Sequence, residues 1–142
     1  MYKDILLPVE LSDEGSWHKA LEVSVEYCRA FGSRLHIISV LPEFASSMVA
    51  NYFPEGFEEK HRLEVDKQLH DFVSQNVPAE CQVQVIVAEG KIYKEIINAA
   101  ESIGADLIVM GSHKRELMDY VIGPNAERVV SHSSKSVLVV RG

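Results

Sequence analysis

Five short, largely apolar runs set the frame of this chain: residues 5–9 (ILLPV), 35–41 (LHIISVL), 83–88 (VQVIVA), 106–110 (DLIVM) and 137–140 (VLVV). A strand with one wet face alternates apolar and polar residues, whereas a nearly continuous apolar run is the pattern of a strand covered on both faces. Between the runs the spacing changes to three and four. Ser12 is placed to cap a helix whose stripe is Trp17, Ala20, Leu21, Ser24, Val25 and Cys28, stopped by Gly32. Residues 58–76 follow with Val65, Leu69, Phe72 and Val73, and residues 92–103 with Ile92, Ile96, Ile97, Ala100 and Ile103, stopped by Gly104. A last helix begins near Pro124 and carries Ala126, Val129 and Val130 inward. Parallel strands need crossover connections, and crossovers are right-handed. The alternation therefore predicts one α/β domain over residues 1–142, doubly wound and Rossmann-like, with a five-stranded parallel sheet and helices on both faces. No linker or internal repeat interrupts it. Residues 43–57 lack any sustained period and read as a connection.

A chain of 142 residues removes roughly two-thirds of its unfolded surface from water on folding, enough for a core without metals or disulfides. Acidic residues outnumber basic ones 21 to 14, for a net charge of −7. Such a chain repels a phosphate backbone or an anionic membrane, so neither nucleic acid nor membrane is expected as a partner. The excess is uneven: residues 1–75 carry 13 acidic and 7 basic side chains, and residues 76–142 carry 8 and 7. A small anion would find its site more easily in the second half. Cys28 and Cys81 make no C-x-x-C pair and join no His-rich cluster, so Cys28 reads as core filler in a reducing compartment. The apolar run at 5–9 is too short for a signal peptide or a membrane span, and a cytoplasmic location is expected.

In doubly wound sheets ligands bind outside the carboxyl ends of the strands. That directs attention to residues 8–12, 40–42, 88–91 and 111–125. Strand four leads into Gly111-Ser112-His113, read as the start of a polar loop, and Gly123 directly precedes a helix start at Pro124-Asn125. Two glycines flanking a loop, the second at a helix N-terminus, suit a backbone that approaches an anion with its N–H groups. Lys114, Arg115 and Arg128 add positive charge nearby. Without a ligand, the same residues read as a strand-end turn and a helix cap. Gly90-Lys91 lacks the rest of a phosphate loop and reads as a turn with an exposed lysine. Of six histidines only His113 falls at the ligand edge, with no nucleophile or orienting carboxylate in view, so catalysis is not indicated.

The stretch GADLIVMGSHKRELMDYVIGPNAERVVSHSSKSVLVVR (104–141), with ILLPVELSDEG at 5–15, resembles the universal stress protein family over essentially the whole chain. The resemblance implies strand order 3-2-1-4-5, usually in a dimer. It also implies a stress-response sensor or regulator that binds an adenine nucleotide, ATP with Mg2+ as companion ion, without efficient turnover. Nucleotide-binding members carry G-x2-G-x9-G-[S/T]. Gly111 and Gly123 match its first and third glycines, while Lys114 replaces the second and Pro124 the hydroxyl residue. The shorter spacing and Asn125-Ala126 are similar to a bacterial branch reading S-H-R-x8-G-S-N-A, from which Pro124 still departs. Carried over by position, Pro8, Val9 and Glu10 flank base and ribose, with Glu10 where the family usually has Asp. Val40 offers backbone to the adenine edge. Gly111, Ser112 and His113 line ribose and first phosphates, and Gly123, Pro124 and Asn125 the outer phosphates. The competing readings are a dimeric stress protein that binds no nucleotide and acts through protein partners, which Pro124 favours, and a slow ATPase or self-phosphorylating enzyme. Separately, VLVV would form an exposed apolar sheet edge, and pairing with a second copy about a two-fold axis would cover it.

Overall fold

In the computed structural model, which describes residues 1–42, 56–112 and 123–142, each apolar run is a strand. The strands are β1 (Asp4–Pro8), β2 (Arg34–Leu41), β3 (Val83–Glu89), β4 (Leu107–Ser112) and β5 (Ser136–Arg141). Among the described residues, four helices connect them: α1 (His18–Phe31), α2 (Phe57–Asn76), α3 (Ile92–Ile103) and α4 (Pro124–His132). All strand pairs are parallel, in the order β3-β2-β1-β4-β5. This is the α/β fold and the strand order expected.

The double burial of the strands has a direct cause in the packing. Ile5, Leu7, Leu35, Ile37, Leu107 and Val109 face one layer, where Ala20, Leu21, Val25 and Cys28 of α1 and Val65, Leu69 and Phe72 of α2 meet them. The alternate residues Leu6, Ile38, Ile108 and Met110 face Ile96 and Ala100 of α3 and Ala126 and Val129 of α4. With apolar helices on both sides, neither strand face needs polar residues. Trp17, at the head of α1, packs edge-on against Phe72 with ring centroids 4.7 Å apart, tying α1 to α2. Among the described residues, no helix is long and apolar enough to cross a membrane.

Three local expectations are corrected. Ser12 does not cap α1: a turn and a 3-10 turn at Glu14–Ser16 intervene, and α1 starts after Trp17 with no side-chain cap. The intervening turn is held by its own chain, with Ser16 N–H donating to the Asp13 carbonyl at 3.0 Å. Gly111 and Ser112 do not open a loop; they complete β4 opposite Val140 and Arg141. Val130, expected on the inner face of α4, is 47% exposed because Ala126 and Val129 occupy that face.

Candidate functional site

The carboxyl ends of the strands open onto a cleft of about 880 Å³, within the size range of small-molecule sites. The way β1 ends shapes it. Beyond Pro8, the Val9 N–H donates to the Ile38 carbonyl of β2 at 2.8 Å, and the Asp13 N–H to the Glu10 carbonyl at 2.9 Å. The chain therefore turns across the sheet end and brings Val9, Glu10, Asp13 and Ser16 to the cleft. Ser39, Val40 and Pro42 arrive from the end of β2, and Gly90 is tied there by its N–H to the Leu41 carbonyl at 3.0 Å. Gly111 and buried Ser112 come from β4, and Gly123, Pro124, Asn125 and Ala126 from the start of α4.

The fold thus brings together Pro8, Val9, Glu10, Val40, Gly111, Ser112, Gly123, Pro124 and Asn125 on one cleft. These residues are scattered over more than a hundred positions of chain. His113, together with Lys114 and Arg115, lies outside the described residues. The cleft also takes residues that the sequence reading left out, Asp13, Ser16, Ser39 and Tyr93 among them. Lys91 is exposed, as expected, yet it also lines the cleft at the head of α3. The position of Gly90-Lys91 at a strand end was the available signal for it; nothing in the spacing singles out Tyr93.

Cations and helix-start N–H groups gather on the α3 and α4 side. The guanidinium of Arg128 stands 5.3 Å from the centroid of the Tyr93 ring, a cation–π contact that ties the first turn of α3 to the second turn of α4. At the head of α4, Gly123 is the N-cap without a side-chain hydrogen bond, and Pro124 takes the first helical position. The Glu127 N–H closes the first helical bond, to the Gly123 carbonyl at 3.0 Å. Among the described residues no carbonyl accepts from the N–H groups of Asn125 and Ala126, and a helix start of this kind favours an anion. Glu10 and Asp13 supply carboxylates on the β1 side. Among the described residues, no group of three or more His, Cys, Asp and Glu could hold a metal ion by itself.

Gly111 is glycine for a reason the sequence did not suggest. A Cβ at this position would run into the backbone carbonyl oxygen of Ser16 and stand 2.9 Å from its carbonyl carbon. The close approach is thus between β4 and the turn before α1. A larger residue here would therefore disturb the packing of β4 against that turn.

A second buried polar cluster lies at the opposite end of the sheet. Asp4 accepts from His36 Nε2 at 2.9 Å and from Arg34 at 3.0 Å, and Gln84 lies 2.6 Å from His36 Nδ1. Burial pushes the Asp4 carboxyl up, but the bonds from His36 and Arg34 outweigh it and hold the group below its ordinary value. The Asp106 carboxylate accepts from the N–H groups of Lys3 and Asp4 and fixes the entry to β1. These groups stabilise the amino ends of the strands and take no part in the cleft.

A sequence model described as the Universal stress protein family matches residues 1–141. The chain is 31% identical over 148 residues to Universal stress protein G of Escherichia coli O157:H7, covering 99% of this chain and 100% of that protein. It is 26% identical to a solved structure of MJ0577, a universal stress protein of Methanocaldococcus jannaschii, with a TM-score of 0.73 and coverage of 100% and 97% of the two chains. Two more distant structures, each 17% identical, share the fold. One is the universal stress protein of Archaeoglobus fulgidus in complex with dAMP (TM-score 0.67, 97% of each chain). The other is a universal stress protein in complex with cAMP (TM-score 0.63, 98% and 96%).

Proposed function

The chain belongs to the universal stress protein family, and from that premise we propose that its cleft binds an adenine nucleotide, ATP, in a sensing or regulatory role in the cytoplasmic stress response. The observation that carries this reading is the convergence of the ends of β1, β2 and β4 with the head of α4 on one cleft of nucleotide size. Val9 and Val40 offer backbone and apolar surface to a base, and Gly111 and Ser112 stand toward the ribose. The N–H groups of Asn125 and Ala126, with Arg128 and Lys91, offer positive potential to phosphates. That dAMP and cAMP occupy other proteins of this fold is consistent with an adenine ligand here. A Mg2+ ion would arrive with the phosphates, since such ions are held by phosphate oxygens and one or two carboxylates. Glu10 and Asp13 are the cleft carboxylates suited to it. The role in this reading is binding without efficient turnover.

The protein acts as a homodimer through β5. That strand is one edge of the sheet, and among the described residues no side chain hydrogen-bonds to its backbone. At the other edge, Arg62 of α2 donates to the Val87 carbonyl of β3 at 2.8 Å. A second reading, a dimer that holds no nucleotide and works through protein partners, is favoured by Pro124 alone, which supplies neither N–H nor hydroxyl at the head of α4. Native mass spectrometry of the purified protein, followed by titration calorimetry with ATP, separates the two. A dimer that carries or takes up ATP is the expected result. A dimer that stays empty at millimolar ATP overturns the first reading in favour of the second.

A further inference from the structure

The two cysteines are distant in sequence, with residues 29–80 between them, yet the fold brings the segments that carry them together. Cys28 sits in the last turn of α1, 6% exposed, with its carbonyl accepting from the Gly32 N–H. Cys81 sits in the turn that leads into β3, half-buried and packed against the same core cluster. Two neighbouring interactions hold these segments together. Arg29, next to Cys28, pairs with Glu80, next to Cys81, at 3.3 Å. On the other side, the Leu35 N–H of β2 donates to the Gln82 carbonyl at 2.8 Å. Cys81 lies near enough to help push the Cys28 thiol up, and both cysteines are free.

We propose that Cys28 and Cys81 form a reversible oxidation site, closed to an intrachain disulfide by hydrogen peroxide at the amino end of the sheet. Exposure assigns the order of events. The thiolate is the reacting form, and burial with the neighbouring Cys81 pushes the Cys28 thiol up to about 11, so Cys28 does not attack peroxide itself. Cys81, the accessible partner, attacks a peroxide oxygen. The O–O bond breaks, a sulfenic acid forms on Cys81 Sγ, and the other oxygen leaves as water. Cys28 Sγ then displaces the sulfenic oxygen, which takes the Cys28 proton and leaves as a second water. Two thiols lose two electrons and two protons in total, and the peroxide is reduced to two waters. The disulfide would join α1 directly to the entry of β3 and close the long loop that holds β2 and α2.

The test treats the full-length protein with hydrogen peroxide under native conditions, blocks remaining thiols with N-ethylmaleimide, and measures intact mass and proteolytic peptides. The expected product is a single chain about 2 Da lighter, unreactive to the maleimide, with Cys28 and Cys81 in one linked peptide, and reversed by dithiothreitol. It should unfold roughly 5–15 °C higher than the reduced protein. In Cys81→Ser, whose fold is checked by circular dichroism, Cys28 should resist both peroxide and maleimide. Three outcomes overturn the proposal: a link between two chains, oxidation that stops at an acid on one cysteine, or rapid modification of Cys28 in the folded Cys81→Ser variant.

Discussion

Gly111 combines close chain packing with a place on the cleft. Because a Cβ there meets the Ser16 carbonyl, even Gly111→Ala forces the turn before α1 away from β4. Overpacking of this kind costs about 1–3 kcal/mol, and urea denaturation should show a loss of that order before any effect on ligand binding is measured. Asp4 answers to pH. Its folded-state carboxyl is held below the ordinary value, so its stabilisation is complete above the unfolded-state value of about 3.9 and disappears as pH falls through the folded one. Asp4→Asn should therefore be less stable than the parent at pH 7. Its melting temperature should also fall less than the parent's between about pH 4 and about pH 2. Thermal unfolding across that range checks both parts.

At the scale of elements, the head of α4 is where the proposed nucleotide would place its phosphates. Proline fits the first helical position sterically, since the N–H it lacks has no helical partner. In a ligand site that same N–H is a donor, and serine would add a hydroxyl beside it. A hydrogen bond to a charged group is worth about 1.5–3 kcal/mol, so Pro124→Ser should tighten ATP binding by roughly tenfold or more. Adenosine, without phosphates, should change little. Calorimetry with both ligands measures the contrast, and equal effects on the two would mean that Gly123, Pro124 and Asn125 serve only as a helix cap.

For the whole molecule, the two edges of the sheet behave differently. The β3 edge has Arg62 bound to its Val87 carbonyl, whereas β5 presents Val137, Leu138, Val139 and Val140 on an edge strand. Val139→Lys places a charge on that edge and should weaken self-association, because lysine is a standard means of keeping sheet edges apart. Sedimentation over a wide concentration range should show the variant shifting toward monomer while the parent stays dimeric. Unchanged mass would count against pairing through β5.

The positions of the strands and helices were legible in the sequence because apolar period is a local property: the stripe from Ala20 to Cys28 and the run from Ile5 to Leu7 record which faces are buried. The candidate cleft was legible in outline because a doubly wound sheet puts its strand ends together, and Gly111 and Gly123 stood at those ends. Three features required the tertiary structure, since each depends on a contact between segments far apart in the chain. Gly111 against Ser16 is one, Tyr93 under Arg128 is another, and Cys28 beside Cys81 is the third. Local spacing fixes which way a side chain points relative to its own helix or strand. The partner it meets is set by how α1 docks on β4, how α3 lies beside α4, and where the chain re-enters the sheet at β3.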